Sequence, residues 1–417
     1  MLLACVALTD EFWSGVAVVA APEVEREQSI EHGGYALLVF ALPLLGSALL
    51  EAGLALVSDR YPRRRVIALG LLGLAAALLV CAFASSGALL AIGLGLAGAA
   101  SGVACSAAQG ELVASAGTAA GAGARAMTRW VLLGSIGDVL TPVLVAAMLG
   151  AGGSYRGAFV AAAVLALLQA GWVLESARRH PTATAVSESD SDSDSGTEAG
   201  TDPEDADALP LLTALREGVR NGELWRWLIA ASLCTFLDEI VVAFAALYAE
   251  RDLGASPAAA VACVTGVSAG AVIGAWSTDR LLAVAAPDRV LLGSTLATLL
   301  ALGAVVFAPS LPWLALALVA LGASAAPQYA LTKAKAYAAS PGRPGVVNAL
   351  AQVFVVVDVV GPLLLGGIAD RWGVGMAIAC LAVQPLGVSL LLGSRLRVTS
   401  LRRGRDSEGS TGVGPQM

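Results

Sequence analysis

The chain has 417 residues, of which 57% are hydrophobic and only 14% are charged. Its mean hydropathy is +0.77. These values exclude an ordinary soluble globular domain and are typical of a membrane protein. The formal net charge of −7 arises in one segment, because residues 187–207 hold nine acidic side chains and no basic one, while the remainder carries +2.

Apolar stretches of helical length recur along the whole chain. A bilayer core of about 30 Å is crossed by about 20 mostly apolar helical residues. The sequence predicts twelve spans, six on each side of the acidic segment: 3–21, 35–57, 65–83, 88–108, 129–150, 157–174, 225–247, 257–278, 289–307, 311–331, 345–368 and 374–393. We therefore expect an all-α integral membrane protein with twelve transmembrane helices in two six-helix halves.

The predicted domain organisation follows from these spans. The halves occupy 1–175 and 223–395, and a basic tail occupies 396–417. Between the halves, 176–222 combines a Ser/Asp-rich tether, which we expect to be disordered, with an amphipathic lead-in to the seventh span. The first span has no basic n-region or cleavage site and is not read as a signal peptide, although the true start could lie upstream of Met1.

The basic residues predict the orientation, because cytoplasmic loops retain Lys and Arg. If the N-terminus is inside, only Arg26, Arg156, Arg251 and Arg371 lie outside, and the other 21 basic residues lie on the cytoplasmic side. We expect a multi-pass protein of the cell membrane, as an inner-membrane protein, with both termini cytoplasmic. The six cysteines all fall in apolar spans without CxxC pairing, so no disulfide or metal site is expected.

Three short motifs of the first half recur in the second in the same order. "LTDEFWSGVAV" is echoed by "FLDEIVVAFAA", "LVSDR" by "WSTDR", and "GSIGDVLTPVLV" by "VFVVVDVVGPLLL". The acidic residues that correspond are Asp10 and Glu11 with Asp238 and Glu239, Asp59 with Asp279, and Asp138 with Asp358. Duplicated halves joined by a long linker are an arrangement of secondary transporters.

The loop after the second span carries a family resemblance. "ALVSDRYPRRR" (55–65) resembles the signature loop of the major facilitator superfamily, roughly G-x-L-x-D-R-x-G-R-R/K. The matching residues are Asp59, Arg60, Arg63 and Arg64. Departures are Ala55 and Pro62 at glycine positions and Val57 at the leucine position.

The resemblance implies a rocker-switch transporter in which spans 1, 4, 7 and 10 line the cavity. It also implies that the loop helps to close the cytoplasmic side. The arginines can fork onto a carboxylate such as Glu111 at the end of the fourth span. The alternative is that these arginines only set the topology and contact lipid headgroups.

Acidic residues inside the predicted spans are the main functional candidates. Asp10, Glu11, Asp138, Asp238 and Asp358 lie about 12 to 20 Å deep at 1.5 Å per residue, with Glu239 beside them and Glu51 nearer the cytoplasmic side. No basic residue is predicted at that depth, so each carboxyl is protonated, hydrated in a cavity or paired with something mobile. We expect them to couple protons to substrate, with Asp10 and Asp238 facing the pore. The alternative is that they are hydrogen-bonded packing groups.

Substrate and direction are predicted only as a class. Further polar residues of the predicted cavity wall are Trp13, Gln109, Gln328, Tyr329, Asn348 and Gln352, with Glu51. Without cavity arginines an anionic substrate is disfavoured, and an acidic, otherwise apolar cavity suits a lipophilic or cationic compound.

We expect a monomer that exports such a compound in exchange for protons. The family's antiporter motif is only approximated by "TPVLVAA" (141–147) and "GPLLLGG" (361–367), so proton-coupled uptake, or facilitated diffusion of a small metabolite, remains open. A transporter-like receptor is a further alternative. An enzyme, a cofactor, a metal site and nucleic-acid binding are not expected, since no catalytic, nucleotide or ligand motif is present.

Overall fold

The structure is a computed structural model that describes residues 2–19, 23–24, 27, 42–117, 119, 121–179 and 203–393. In that part of the chain every regular element is a helix. Before the acidic segment the helices are α1 (Cys5–Val19), α2 (Leu42–Ser58), α3 (Arg63–Ala82), α4 (Gly87–Ser115), α5 (Ala122–Gly150) and α6 (Tyr155–Arg179). After it they are α7 (Pro203–Arg220), α8 (Gly222–Arg251), α9 (Pro257–Leu281), α10 (Pro287–Val306), α11 (Leu311–Ala339), α12 (Pro344–Ala351), α13 (Val355–Trp372) and α14 (Val374–Cys380). The last described stretch, 383–393, is also helical and is called α15.

The predicted all-helical membrane fold is confirmed. Among the described residues, eleven helical segments are long and apolar enough to cross a membrane. The remaining predicted span, 35–57, is described only from Leu42, where α2 begins. Three of the eleven segments combine shorter elements. A 3₁₀ turn (Leu2–Ala4) precedes α1, α12 continues through a 3₁₀ turn (Gln352–Phe354) into α13, and α14 continues toward α15.

Several helices extend beyond the predicted apolar spans. The α4 helix continues to Ser115 and α11 to Ala339. The α6 helix ends at Arg179, inside the predicted linker. Hydropathy detects only the part of a helix that suits hydrocarbon, whereas Ala-rich sequence continues the helix into the polar region. Most of the acidic tether, 180–202, and the basic tail lie outside the described residues.

Contacts divide the chain into two compact units. Unit 1 comprises Met1–Leu228 with Ala334–Val356, and unit 2 comprises Ile229–Lys333 with Val357–Met417. The end of α11 and the whole of α12 therefore pack with helices that precede them by more than 200 residues in the sequence. The boundaries of the two sequence halves remain a prediction.

Unit 1 has a core built from α1, α3, α4, α5 and α6. Its fully buried side chains include Leu74 and Leu78 of α3 and Tyr155 and Phe159 of α6. Small residues bring α3 and α4 close together, since a methyl group on Gly70 would lie 2.9 Å from the Ala104 Cβ. Such close backbone approach is the usual means of helix association where no hydrophobic effect operates.

Unit 2 has its own core, which includes Leu237 and Phe244 of α8 and Leu318 of α11. Glycines recur at every fourth position of α9, at 266, 270 and 274. The second and third lie against the α11 backbone, where an added methyl group would overlap Val319 and Ala323. This small-residue stripe fixes how α9 and α11 pack.

Candidate functional site

The first acidic group of unit 1 is Asp10 on α1. Its Oδ1 accepts hydrogen bonds from Ser101 Oγ of α4 at 2.5 Å and from Trp13 Nε1 at 3.0 Å. The Trp13 indole also lies 3.1 Å from Ser101 Oγ. Two donors on one oxygen hold this carboxyl as an acceptor between α1 and α4 without a basic side chain.

The neighbouring Glu11 points to a different helix. Its side chain lies against Gly134 and Gly137 of α5, where the missing side chains leave room for it. Glu11 and Asp138 lie within hydrogen-bonding reach of one another. A hydrogen bond between two carboxyl groups needs a proton on one of them, so this pair is a place where one proton can be held or exchanged.

Asp138 also reaches the surface of unit 1. Asp138 is exposed, whereas Asp10 and Glu11 are partly buried. Asp138 is therefore the member of the α1/α5 pair that contacts the surroundings.

Glu51 lies elsewhere in unit 1, on α2. It is buried, and Ser106 of α4 donates a hydrogen bond to its Oε1. The backbone carbonyl of the same Ser106 accepts a hydrogen bond from Asn348 Nδ2 of α12 at 3.1 Å. One serine thus connects a buried acid to the segment 334–356.

The acids of unit 2 lie on α8 and α13. Asp238 is exposed on α8, and the side chain of Glu239 lies outside the described residues. Asp358 lies in the first turn of α13, and its Oδ1 is buried without a hydrogen-bond partner among the described atoms. One turn further, Gly361 packs on the Phe236 ring of α8. This glycine brings α13 against α8, as Gly137 brings α5 against α1 in unit 1.

Asp59, at the end of α2, contacts α12 within unit 1. Its Oδ1 accepts a hydrogen bond from the backbone N–H of Gly345 at 3.0 Å. Gly345 has no room for a side chain, since a methyl group there would overlap the Ala55 carbonyl oxygen and lie 2.7 Å from Asp59 Oδ2. Burial raises the pKa of the Asp59 carboxyl, and the N–H of Gly345 and the charge of Arg63 act in the opposite direction.

The neighbouring Arg63 and Arg64 share Glu111, and each also binds a different backbone carbonyl. Arg63 Nη2 donates to the Gly342 carbonyl at 3.1 Å, and its Nη1 lies 3.9 Å from Glu111 Oε2. Arg64 Nε donates to Glu111 Oε1 at 3.4 Å, and its Nη1 donates to the Ser176 carbonyl at 3.0 Å. Arg60 is exposed. We call Asp59, Arg63, Arg64, Glu111, Gly342 and Gly345 the loop cluster.

A layer of buried polar side chains lies beside the loop cluster. The Tyr337 hydroxyl lies 3.1 Å from Gln109 Oε1 and 2.9 Å from Asn348 Oδ1. Tyr337, Gln109 and Asn348 are all buried. Because both oxygens are acceptors, the single hydroxyl proton serves one of them at a time, and the three groups fix α11 and α12 against α4.

The predicted cavity-wall residues occupy two kinds of environment. Trp13, Glu51, Gln109 and Asn348 are buried in the contacts of unit 1, and Gln328 is buried in unit 2, where its Nε2 donates to Thr298 and its Oε1 accepts from Gln384. All five are buried among the described helices, and their place on a cavity wall remains a prediction. An amide in an apolar helix needs a partner, so helix packing accommodates it as readily as a cavity does. Tyr329 and Gln352 are partly exposed.

Three residues were missed from the sequence: Gly342 and Gly345 of the loop cluster, and Tyr337 of the polar layer beside it. Gly342 has φ +78°, a left-handed conformation that favours glycine. The signal that could have found them is the short stretch around Pro344, which stands at the first turn of α12. Proline there, followed by glycine, indicates a helix start that a neighbouring backbone can approach closely.

Comparison with known proteins identifies the family. The sequence model of the Major Facilitator Superfamily matches residues 2–357. The chain therefore belongs to the Major Facilitator Superfamily of membrane transporters, as the loop at 55–65 predicts. Among curated proteins, none matches the sequence significantly.

Solved structures show the same fold. The fucose:proton symporter FucP of E. coli has a TM-score of 0.69 at 15% identity, and the match covers 94% of this chain and 98% of that one. The human organic anion transporter TETRAN has a TM-score of 0.69 at 17% identity and covers 94% and 98%. The proton:xylose symporter XylE has a TM-score of 0.69 at 12% identity and covers 94% of both. At these identities the likeness establishes the fold.

Proposed function

We propose that this protein is a secondary transporter that couples the movement of protons to that of a small organic solute by alternating access. The observation that carries the proposal is the Glu11–Asp138 carboxyl pair, with Asp10 beside it, inside helices long and apolar enough to cross a membrane. Acidic side chains in such helices are costly and usually mark ion or substrate paths. The repeated acids Asp238 and Asp358 support a matching site in the second half.

We further propose that the loop cluster closes the predicted cytoplasmic side. The support is the set of contacts that Asp59 and Arg63 make with Gly345 and Gly342, far along the sequence. In each contact a backbone group of Gly345 or Gly342 meets a charged side chain, the Asp59 carboxyl or the Arg63 guanidinium. Since the charged groups can be hydrated when the contact separates, opening does not leave a buried charge without a partner.

Substrate class and direction are proposed from charge. The acids and the scarcity of basic residues favour a lipophilic or cationic compound, and export remains our expectation from the sequence. Two of the structural relatives are named as proton symporters and one as an organic anion transporter, so uptake has to be tested equally. A screen must therefore include cations, sugars and organic anions.

The test uses purified full-length protein in liposomes that contain a pH-sensitive dye. We expect one solute class to drive proton movement. Protons that move with the solute indicate symport, the mode proposed for uptake, and protons that move against it indicate antiport, the mode proposed for export. Asp138→Asn should abolish proton movement, because an amide cannot take up or release the proton that the pair shares. Glu175→Gln is the matched control, since Glu175 is an exposed acid paired with Arg179 at the end of α6.

Two results would contradict the proposal. Solute movement without any proton movement in the wild type would make the protein a facilitator. Full proton coupling in Asp138→Asn, Asp10→Asn and Glu11→Gln alike would reduce these acids to packing groups.

A further inference from the structure

An apolar groove runs along the outside of unit 1 between α2, α3 and α4. Its volume is about 490 Å³ and it is lined almost entirely by carbon. Leu50 and Leu54 of α2 form one wall, and Leu69 of α3 and Leu96 of α4 form the others. These four side chains are 45–68% exposed. The volume lies within the range of ligand pockets, about 300–1,000 Å³, so the groove is a concave site rather than a ridged helix surface.

The floor of the groove is made of small residues. Gly70 of α3 and Ala99 and Ala100 of α4 line it, and Gly70 packs directly on α4. Where helices approach this closely, the larger side chains on either side stand up as walls. The groove is therefore a product of the packing in unit 1.

One end of the groove has a basic residue and a phenol. Tyr61 and Arg65 line that end beside Ser58, and both are exposed. In the part of the chain that the structure describes, the Arg65 guanidinium has neither an ion-pair nor a hydrogen-bond partner. Its neighbours Arg63 and Arg64 are instead bound to protein groups. Of these three consecutive arginines, only Arg65 remains available to an external anion.

We propose that this groove binds a bilayer phospholipid, with one acyl chain along the leucine walls and an anionic headgroup against Arg65 and Tyr61. The positive charge of Arg65 favours a lipid that carries net negative charge. A guanidinium binds phosphate oxygens through two parallel N–H groups, and a phenol donates one further hydrogen bond. The carboxyl cluster of the proposed transport site does not line the groove, so lipid binding is independent of the proposed transport function.

The test is native mass spectrometry of the full-length protein, titrated in detergent with phosphatidylglycerol or with phosphatidylcholine of the same acyl chains. We expect the first bound lipid to favour phosphatidylglycerol about fivefold, which corresponds to the contribution of one basic residue at an anionic membrane surface. Arg65→Gln should remove this preference. The matched control is Arg178→Gln, because Arg178 is an exposed arginine at the end of α6 and away from the groove.

A second variant tests the groove itself. Ala100→Leu places a larger side chain over the floor, so it should weaken binding of both lipids and leave the charge unchanged. Thermal unfolding of each variant verifies that it is folded.

Three results would overturn the proposal. One is a phosphatidylglycerol preference that survives in Arg65→Gln. Another is lipid binding unaffected by Ala100→Leu in a folded protein. The third is a dimer that forms without added lipid and is lost in Ala100→Leu, since a second copy of the chain would then occupy the groove.

Discussion

The contact between Gly345 and the end of α2 allows the proposed gate to be tested by one methyl group. In Gly345→Ala the new Cβ overlaps the Ala55 carbonyl oxygen and crowds Asp59. A backbone carbonyl cannot rotate away as a flexible side chain can. The contact must therefore separate, and the hydrogen bond from the Gly345 N–H to Asp59 is lost with it.

The size of the effect follows from these two terms. A hydrogen bond to a charged group contributes about 1.5–3 kcal/mol, and overpacking costs about 1–3 kcal/mol. Both terms act on the closed state and not on the open one. We therefore expect the free energy of the closed state, relative to the open state, to rise by at least about 2 kcal/mol. Since about 1.4 kcal/mol is a factor of ten, the ratio of open to closed protein should rise about 30-fold.

The assay is the labelling rate of a cysteine placed in this contact. Val347 of α12 is fully buried, so Val347→Cys in a background without the native cysteines is labelled only when the contact opens. A maleimide that cannot cross the membrane should react about 30-fold faster in the Gly345→Ala variant. Gly171→Ala is the matched control, since a methyl group on Gly171 meets no atom within 4 Å.

Equal labelling rates in the two glycine variants would refute the reasoning. That result would mean that the Asp59–Gly345 contact does not limit access to α12. The loop at 55–65 would then act only through topology and headgroup contacts.

Three further predictions follow from groups in the same contacts and in unit 2. Burial raises the pKa of Asp59, so the closed contact takes up a proton more readily than an exposed carboxyl does. The closed contact should therefore become more stable as the pH falls through that pKa, and Val347→Cys should be labelled more slowly. Each rate is normalised to that of unfolded protein at the same pH. Asp59→Asn should abolish this pH dependence. Tyr337→Phe leaves the buried Gln109 Oε1 without that hydroxyl and should cost about 1–3 kcal/mol, measured as faster labelling of the same cysteine; an unchanged rate would show that water replaces the hydroxyl. The Gln384 amide donates to Gln328, and its Oε1 is buried without a hydrogen-bond partner among the described residues. Gln384→Met removes both the bond and the unpartnered oxygen, so the free energy of unfolding should change by less than about 1 kcal/mol, measured by thermal unfolding. A large loss would mean that the amide holds α15 in place.

The helices were predictable because hydrocarbon imposes a strong and local requirement on composition. Predicted spans and helices share at least one boundary to within a few residues. They differ where polar sequence continues the helix beyond the apolar span, as α4 continues to Ser115. The acidic positions were equally visible, since a carboxyl stands out in an apolar chain. Local sequence was sufficient for both.

The partners of the polar groups were not predictable from one sequence. Asp59 meets Gly345 and Tyr337 meets Gln109 across more than 200 residues, and no periodic pattern encodes such distant pairing. The sequence predicts Gln328 only as a polar residue of the cavity wall, without a partner. The structure satisfies it instead with Thr298 and Gln384. A polar residue in a span predicts that a partner exists without identifying that partner.

The glycines of the closed contact bear on proton leakage. A methyl group on Gly345 would overlap the Ala55 carbonyl, and one on Gly110 would lie 2.6 Å from the Pro344 Cβ. Between the described helices α2, α4 and α12, surfaces that meet this closely leave little room at these two points for a file of water molecules, along which protons hop. In a membrane that stores energy as a proton gradient, this junction would act as an electrical insulator that preserves the gradient between transport cycles.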